Sequence, residues 1–387
     1  MALPLKYNVR NVFVRWRATL ATVLGIALVV AVFVLVQSLA AGLKRTSGNT
    51  GDPRNVLMVR KGSTAESSSQ ITREQYRLIP YLPEIAKDAS GRPLVSPDVL
   101  VLMMLPRKED QGEAHVLFRG ISPVGMELRP QVRLVAGRWF APGHREVVAS
   151  RRLAARFASF ELGDRIKSGT RELTVVGWLD GGDSAFDSEV WMDADEARLL
   201  FDRQHYSSVL ARAVNEAAMG ALTNRIENDR RLPLRALPEV AYYQAQTLTA
   251  MPIKVLGGFL ATMMSIGAIF AAMNTMYASV GARTREIGTL RVLGFRRRTV
   301  VLSFLLEGAF LALIGGVLGC LLSLPLNGYA TATIGWETFS ETVFRFTITP
   351  ALMGQGLLFA VLMGLLGSLL PAWRASRLPV IAALKSL

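Results

Sequence analysis

The chain has 387 residues, 51% hydrophobic and only 19% charged, with 44 Lys/Arg against 30 Asp/Glu for a net charge of +14. Ordinary soluble domains carry about 25% charged residues, so a single soluble enzyme is disfavoured, and a chain this apolar is not intrinsically disordered. One cysteine, Cys320, excludes a disulfide framework within the chain and a cysteine-cluster zinc site, and His115, His144 and His205 have no ligand-like spacing.

Residues 18–43 form the first of four long apolar runs, 26 residues without a charge. About 20 apolar residues cross a bilayer core as a helix. Lys6, Arg10, Arg15 and Arg17 precede the run, as in a signal peptide. Its length exceeds the roughly 7–15 residues of a signal-peptide core. It is therefore read as a retained anchor, with cleavage near the small residues 38–41 as the alternative.

Residues 44–252 have the composition of a soluble domain. β-branched and alternating stretches predict strands at 55–60, 145–150, 172–178, 189–192 and 209–214, and a hairpin from 99–105 and 114–119. Helices are expected near 151–160, 193–202 and 216–229, so the domain is mixed α+β. Catalytic patterns fail one by one. Gly120-Ile121-Ser122-Pro123-Val124 lacks the second glycine of a nucleophile elbow and reads as a turn after a strand. Asp180, Asp183 and Asp187 around Gly181-Gly182 lack the closing glutamate of a calcium loop and read as a solvated loop. His144, beside Arg145-Glu146, reads as a surface residue. No Gly-x-x-x-x-Gly-Lys-[Ser/Thr] occurs, so the chain is expected to be no enzyme and not to hydrolyse ATP by itself.

Three more runs follow: 255–282, a stretch from 299 to 336 broken by Glu307 alone, and 350–373. Pro325 and Asn327-Gly328 act as breakers and end the third span near 324. The fold class is an all-α transmembrane part of four helices plus a large α+β extracytoplasmic domain between helices 1 and 2. Segments 1–17, 283–298 and 374–387 share one side of the membrane and hold +12 of the net +14. The positive-inside rule makes that side cytoplasmic, with both termini there and 44–252 outside. The excess charge thus reads as topology and contact with anionic membrane lipid; no nucleic acid is expected.

Within the spans, Glu307 reads as an anchor that snorkels towards the interface and pairs with a nearby arginine, with a part in coupling as the alternative. Asn274 can hydrogen-bond across helices. Gly315 with Gly319, and Gly364 with Ser368, permit close helix approach within or between chains. In the loop 283–298, Ile287, Leu290 and Leu293 recur on one face of a short helix that Gly294 ends. Such a rod can dock in a partner's groove or lie on lipid.

The run Arg283-Thr284-Arg285-Glu286-Ile287-Gly288-Thr289-Leu290-Arg291-Val292-Leu293-Gly294 resembles the coupling segment of FtsX/MacB/Lol-type ABC transporter permeases. Ser303-Phe304-Leu305-Leu306-Glu307-Gly308 with Gly315-Gly316 is similar to that family's third span, and Pro371-Ala372-Trp373-Arg374-Ala375-Ser376-Arg377, with Pro379-Val380 and Ala383-Leu384, to its C-terminus. Ala136-Gly137-Arg138-Trp139-Phe140, Glu146-Val147-Val148, Leu162-Gly163-Asp164 and Thr174-Val175-Val176-Gly177 resemble its extracytoplasmic domain.

The resemblance implies three segments: 1–43, the N-terminus and first helix; 44–252, a MacB-like domain; and 253–387, an FtsX-like permease domain with helices at about 255–282, 299–324 and 351–373 and the loop 283–298. It further implies that 44–252 divides into a part near 55–105 with 205–250 and a part at 114–200. The chain departs from MacB itself in having no fused ATPase as read, and from FtsX in a larger outer domain. The resemblance places Arg283, Arg285, Glu286, Ile287, Gly288, Leu290, Arg291 and Gly294 against a separate ABC ATPase dimer, with Ile287 and Leu290 as the apolar contact. That partner binds ATP and Mg; this chain holds no cofactor or metal. Other implied partners are a second copy or a homologous permease and a periplasmic adaptor with an outer-membrane channel. The location implied is the bacterial inner membrane. Efflux, lipoprotein or lipid extraction, and activation of cell-wall hydrolases all stay open, as does a receptor or assembly role without an ATPase.

Overall fold

A computed structural model describes residues 16–108, 112–168, 171–246, 251–334 and 341–377. Lys6, Arg10, Arg15 and the motif residues 379–384 lie outside these, as does part of the connection within the predicted 99–119 hairpin. In chain order, helix α1 (Trp16–Gly48) is followed by strand β1 (Asn55–Arg60), α2 (Arg73–Leu78), β2 (Val95–Pro106), β3 (Glu113–Ile121) and α3 (Pro123–Glu127). Then come β4 (Arg133–Gly137), β5 (Glu146–Ser150), α4 (Arg151–Arg156), β6 (Arg165–Ser168), β7 (Arg171–Asp180), β8 (Glu189–Asp193) and α5 (Ala194–Leu200). The series continues with β9 (Ser208–Arg212), α6 (Glu216–Asn228), β10 (Leu234–Pro238), α7 (Glu239–Gln246), α8 (Met251–Ala282), α9 (Thr284–Val292) and α10 (Arg297–Ser323). Strands β11 (Ala330–Ile334) and β12 (Glu341–Arg345) and helix α11 (Pro350–Ser376) complete it. The elements fall into two compact units, 42–250 with 330–345, and 1–41 with 251–329 and 346–387.

The first unit is mixed α+β, as expected. Its ten-stranded sheet runs β10-β1-β9-β2-β3-β8-β5-β7-β4, with β6 on β7. β10, β1, β9 and β2 pair antiparallel; beyond β3 the pairings β3–β8 and β5–β7 are parallel. The expected two parts are thus two ends of one sheet, joined where β2 pairs β3 from Val99–Gly120 to Pro106–Glu113. Side chains alternate across the strands. Val56 and Met58, Val190 and Met192, and Val209 and Ala211 enter one core with Leu153 of α4 and Leu222 and Ile226 of α6. Leu57, Trp191 and Leu210 point the other way, to Val124, Phe186, Tyr242 and Tyr243. β10 and α7 were not foreseen, nor that β11 and β12 group with this unit instead of with the helices. Val343 N donates to Ser188 Oγ at 2.8 Å.

The short helices are set by capping. Thr72 and Gln75 form a reciprocal capping box on α2. Asp193 accepts from the N–H groups of Asp195 and Glu196 at the start of α5. Ser122, at the failed nucleophile pattern, is the N-cap of α3, accepting from Gly125 N.

The second unit is helical. Among the described residues, four helices are long and apolar enough to cross a membrane: Thr19–Gly48, Val255–Ala282, Arg297–Leu326 and Pro350–Ser376. Small residues bring them together. A Cβ on Gly315 would lie 2.9 Å from Val23 O, and one on Gly319 2.5 Å from Ala27 O, both on α1. A Cβ on Gly364 would lie 2.4 Å from Ala312 Cβ and 2.6 Å from Gly308 O of α10. These glycines therefore pack helices within the chain. Asn274 lies on the exposed side of α8; the cross-helix hydrogen bond at that level joins its neighbour Thr275 to Thr22, hydroxyl to hydroxyl at 2.7 Å.

Candidate functional site

The helical unit gathers its unusual chemistry at the end where α8 stops and α10 begins. α8 gives way at Arg283, whose backbone (φ −110°, ψ 17°) breaks the helix before α9 starts. The Arg283 side chain turns inward. Its Nη1 donates to Glu307 Oε2 at 2.9 Å and its Nη2 to Glu307 Oε1 at 3.2 Å. Arg283 is 8% and Glu307 5% exposed. The fork of a guanidinium matches both carboxylate oxygens, so a pair this buried holds a fixed geometry. Glu307 does not snorkel; the arginine comes to it and ties the start of α9 to α10.

Ile287 provides a second tie. It is 3% exposed and packs with Met276, Val280, Val300, Phe304, Ala372 and Ala375. Gly288 is buried beside it. This corrects the expectation that Ile287 is an apolar contact for a partner: its face is already filled by α8, α10 and α11. Leu290 and Arg291 are half-buried. The surface the rod presents carries Arg285 and Glu286, then Val292 at 60% and Leu293 at 68% exposure. Gly294 closes the helix at φ +90°, a left-handed conformation that favours glycine. Its N–H reaches Arg291 O at 3.2 Å and Phe295 N–H reaches Leu290 O at 3.1 Å, a Schellman-like end. Arg296, Arg297 and Arg298 follow, all exposed.

The α+β unit holds a second charged cluster that sequence spacing did not reveal. Arg119 Nε donates to Glu189 Oε2 at 2.7 Å and Nη1 to both Glu66 Oε1 and Asp98 Oδ2 at 3.1 Å. Arg129 Nη2 reaches Asp98 Oδ2 at 2.5 Å and its Nε lies 3.7 Å from Glu239 Oε1. All six are buried, four carboxylates around two guanidiniums. Burial opposes ionisation of Glu66, but the Arg119 guanidinium outweighs it and holds this carboxyl below its ordinary value. For Glu239 burial wins over Arg129, and its carboxyl is pushed up. The cluster anchors α7: Tyr242 Oη accepts from Glu66 N at 2.8 Å, and Tyr243 Oη accepts from Arg119 Nη2 at 3.2 Å. It ties structure together, and Glu66, Arg119, Glu189, Tyr242 and Tyr243 line a cavity of only about 40 Å3.

The acidic loop also differs from expectation. Asp187 is buried, accepts from Gly181 N at 2.7 Å, and lies 3.1 Å from Arg152, which also pairs with Asp183. Asp187 is thus an internal brace, while Asp180 and Gly182 are exposed and Asp183 half-buried, so the solvated reading holds for the outer part of the loop only. His144 is exposed, whereas Glu146 is buried under the Arg138 guanidinium, which holds its carboxyl below the usual range. Among the described residues no group of three or more His, Cys, Asp or Glu side chains is arranged to hold a metal.

The MacB-like periplasmic core domain model matches residues 19–229, and the FtsX-like permease C-terminal model matches 258–380. The chain is 31% identical over 197 residues to the macrolide export ATP-binding/permease protein MacB of Brucella abortus (strain 2308), covering 48% of this chain and 28% of that protein. It is 26% identical over 393 residues to the protein of the same name in Nitrosomonas europaea, covering 95% of this chain and 57% of that one. The chain thus spans little more than half the length of such relatives at most. The crystal structure of the periplasmic region of MacB from Actinobacillus actinomycetemcomitans aligns at 14% identity with a TM-score of 0.38, over 51% of this chain and 94% of that one.

Proposed function

The chain belongs to the ABC transporter permease family that joins FtsX-like and MacB-like periplasmic core domains, and from this premise we propose that it transmits ATP-driven motion of a separate ATPase subunit to its extracytoplasmic α+β unit for export or extraction of cargo. The observation that carries the proposal is the anchored rod. Arg283 and Ile287 fix α9 to the neighbouring spans, while Arg285, Glu286, Val292 and Leu293 stay on its surface. A rod pinned at its start moves with the helices on either side when its free face is pushed. The charge asymmetry supports a cytoplasmic position for that face, and on this reading a partner ATPase supplies ATP and Mg. Glu286 and Arg285 then offer ionic contacts, Val292 and Leu293 the apolar one, and Arg291 and Leu290 flank it.

A second copy, or a homologous permease, completes the pair that an ATPase dimer requires by symmetry. An envelope adaptor is the partner of the α+β unit when the cargo is exported. The test replaces Val292→Asp and Leu293→Asp in the full chain, in mild detergent. Co-purification of a Walker-containing ATPase should fall roughly tenfold or more, the scale of a lost interface hot spot. Undiminished co-purification discards the assignment. Ile287→Asp would be a poor test, because it places a carboxylate in the packed cluster and reports on folding.

A further inference from the structure

At the arginine-rich end of the helical unit a groove of about 490 Å3 opens, lined by Arg297, Arg298, Leu302 and Leu305 on α10 and by Trp373 and Arg377 around the end of α11. No carboxylate is among the residues lining it. The two walls run in opposite chain directions, yet both put their arginines at the same end. α10 starts with Arg297 and Arg298 and carries Leu305 about 10 Å deeper, at about 1.5 Å per residue. α11 arrives with Trp373 one turn before Arg377. The groove is therefore cationic at its mouth and apolar along its depth. Leu302 and Trp373 are 56% and 50% exposed. The Arg377 guanidinium stacks 4.0 Å from the Trp373 ring centroid, which holds the charge at the rim.

We propose that this groove binds one anionic phospholipid, its headgroup phosphate among Arg297, Arg298 and Arg377 and its first acyl methylenes along Leu302, Leu305 and the Trp373 ring. Guanidinium groups bind phosphate through paired N–H donors, and tryptophan favours the membrane interface. The apolar wall decides the source of the phosphate. It lies on helices long enough to span a membrane, so a soluble phosphate would leave it uncovered and a soluble protein would have to enter the lipid to reach it. The inference rests on reading α10 and α11 as spans with their arginine end at a membrane surface.

The experiment takes the full chain, delipidated in detergent, and titrates it with phosphatidylglycerol, bound lipid being read by native mass spectrometry. Wild type should prefer phosphatidylglycerol over phosphatidylcholine, and Arg297→Gln, Arg298→Gln and Arg377→Gln should each weaken it about fivefold. Leu302→Asn with Leu305→Asn should weaken it too, and inorganic phosphate should not displace it. Arg374→Gln makes the same charge change away from the groove, on a side chain over Tyr277, and should leave binding unchanged. The proposal is overturned by any of four results: a triple arginine variant that binds as well as wild type, an equal loss in Arg374→Gln, displacement by inorganic phosphate, or arginine variants that lose the ATPase while keeping the lipid. Labelling of Arg285→Cys in a Cys320→Ser background reads the sidedness separately, so a wrong orientation and a wrong lipid site give different outcomes.

Discussion

Arg119 is a cation with almost no water around it, 1% exposed and within 3.1 Å of three carboxylates. Taking charges out of water costs several kcal/mol each, and only their pairing offsets that. Arg119→Met should therefore destabilise the full chain by about 3–5 kcal/mol, measured by thermal unfolding in detergent; a change indistinguishable from that of a surface substitution would refute this. Arg119→Lys should not rescue it, since one ammonium cannot serve Glu189 and Glu66 with separate forks. The same logic applies to Arg283 and Glu307. Arg283→Ala strands a buried carboxylate, so the double variant with Glu307→Gln should unfold at a higher temperature than Arg283→Ala alone. Additive losses would show that the two groups do not interact.

Glu239 and Glu66 respond to pH in opposite senses. Glu66, held below its ordinary 4.5, contributes stability present above that value and lost as pH falls through the lowered one. Glu239, pushed above 4.5, takes up a proton more readily folded than unfolded. Its contribution is full below 4.5 and is lost as pH rises through the raised value. Glu239→Gln should thus flatten the loss of α7 protection between pH 4.5 and neutrality, read by amide hydrogen exchange over residues 239–246. An unchanged pH slope would assign that dependence to another group. None of these six charged residues announced itself in the sequence. Positions 66, 98, 119, 129, 189 and 239 share no spacing, because strands that pair across long loops bring them together.

At the scale of elements, the four spans were legible because lipid demands long uncharged runs. The predicted third span, 299–324, matches α10 within two residues at each end. The rod α9 was legible too, from apolar spacing and Gly294, but not which face it buries. Leu290 and Ile287 share a side by periodicity, yet Ile287 is fully packed while Leu290 is half-buried and Val292 and Leu293 are exposed. Only the neighbouring helices decide that. The glycine spacing showed close approach without naming the partner helix. Gly319→Leu should push α1 from α10 and cost about 1–3 kcal/mol as an overpacked contact. Gly354→Ala, where a Cβ meets nothing within 4 Å, should be close to neutral in the same thermal scan; equal effects would mean that these contacts do not hold the bundle.

Across the whole molecule, the sequence determined what depends on summed composition. Solvent preference follows from runs of residue types, so the four membrane-length apolar runs and the α+β character of 44–252 were readable without a structure. Tertiary structure alone decided which residues meet. It closed one sheet from two ends of a long domain, placed β11 and β12 with that unit, turned Asp187 in an acidic loop into a brace, and drew Arg283 24 positions along the chain to Glu307. The physical reason is range. Hydropathy acts on each residue through its own surroundings and leaves a local pattern, whereas a buried ion pair gains its energy from a partner whose distance along the chain is arbitrary.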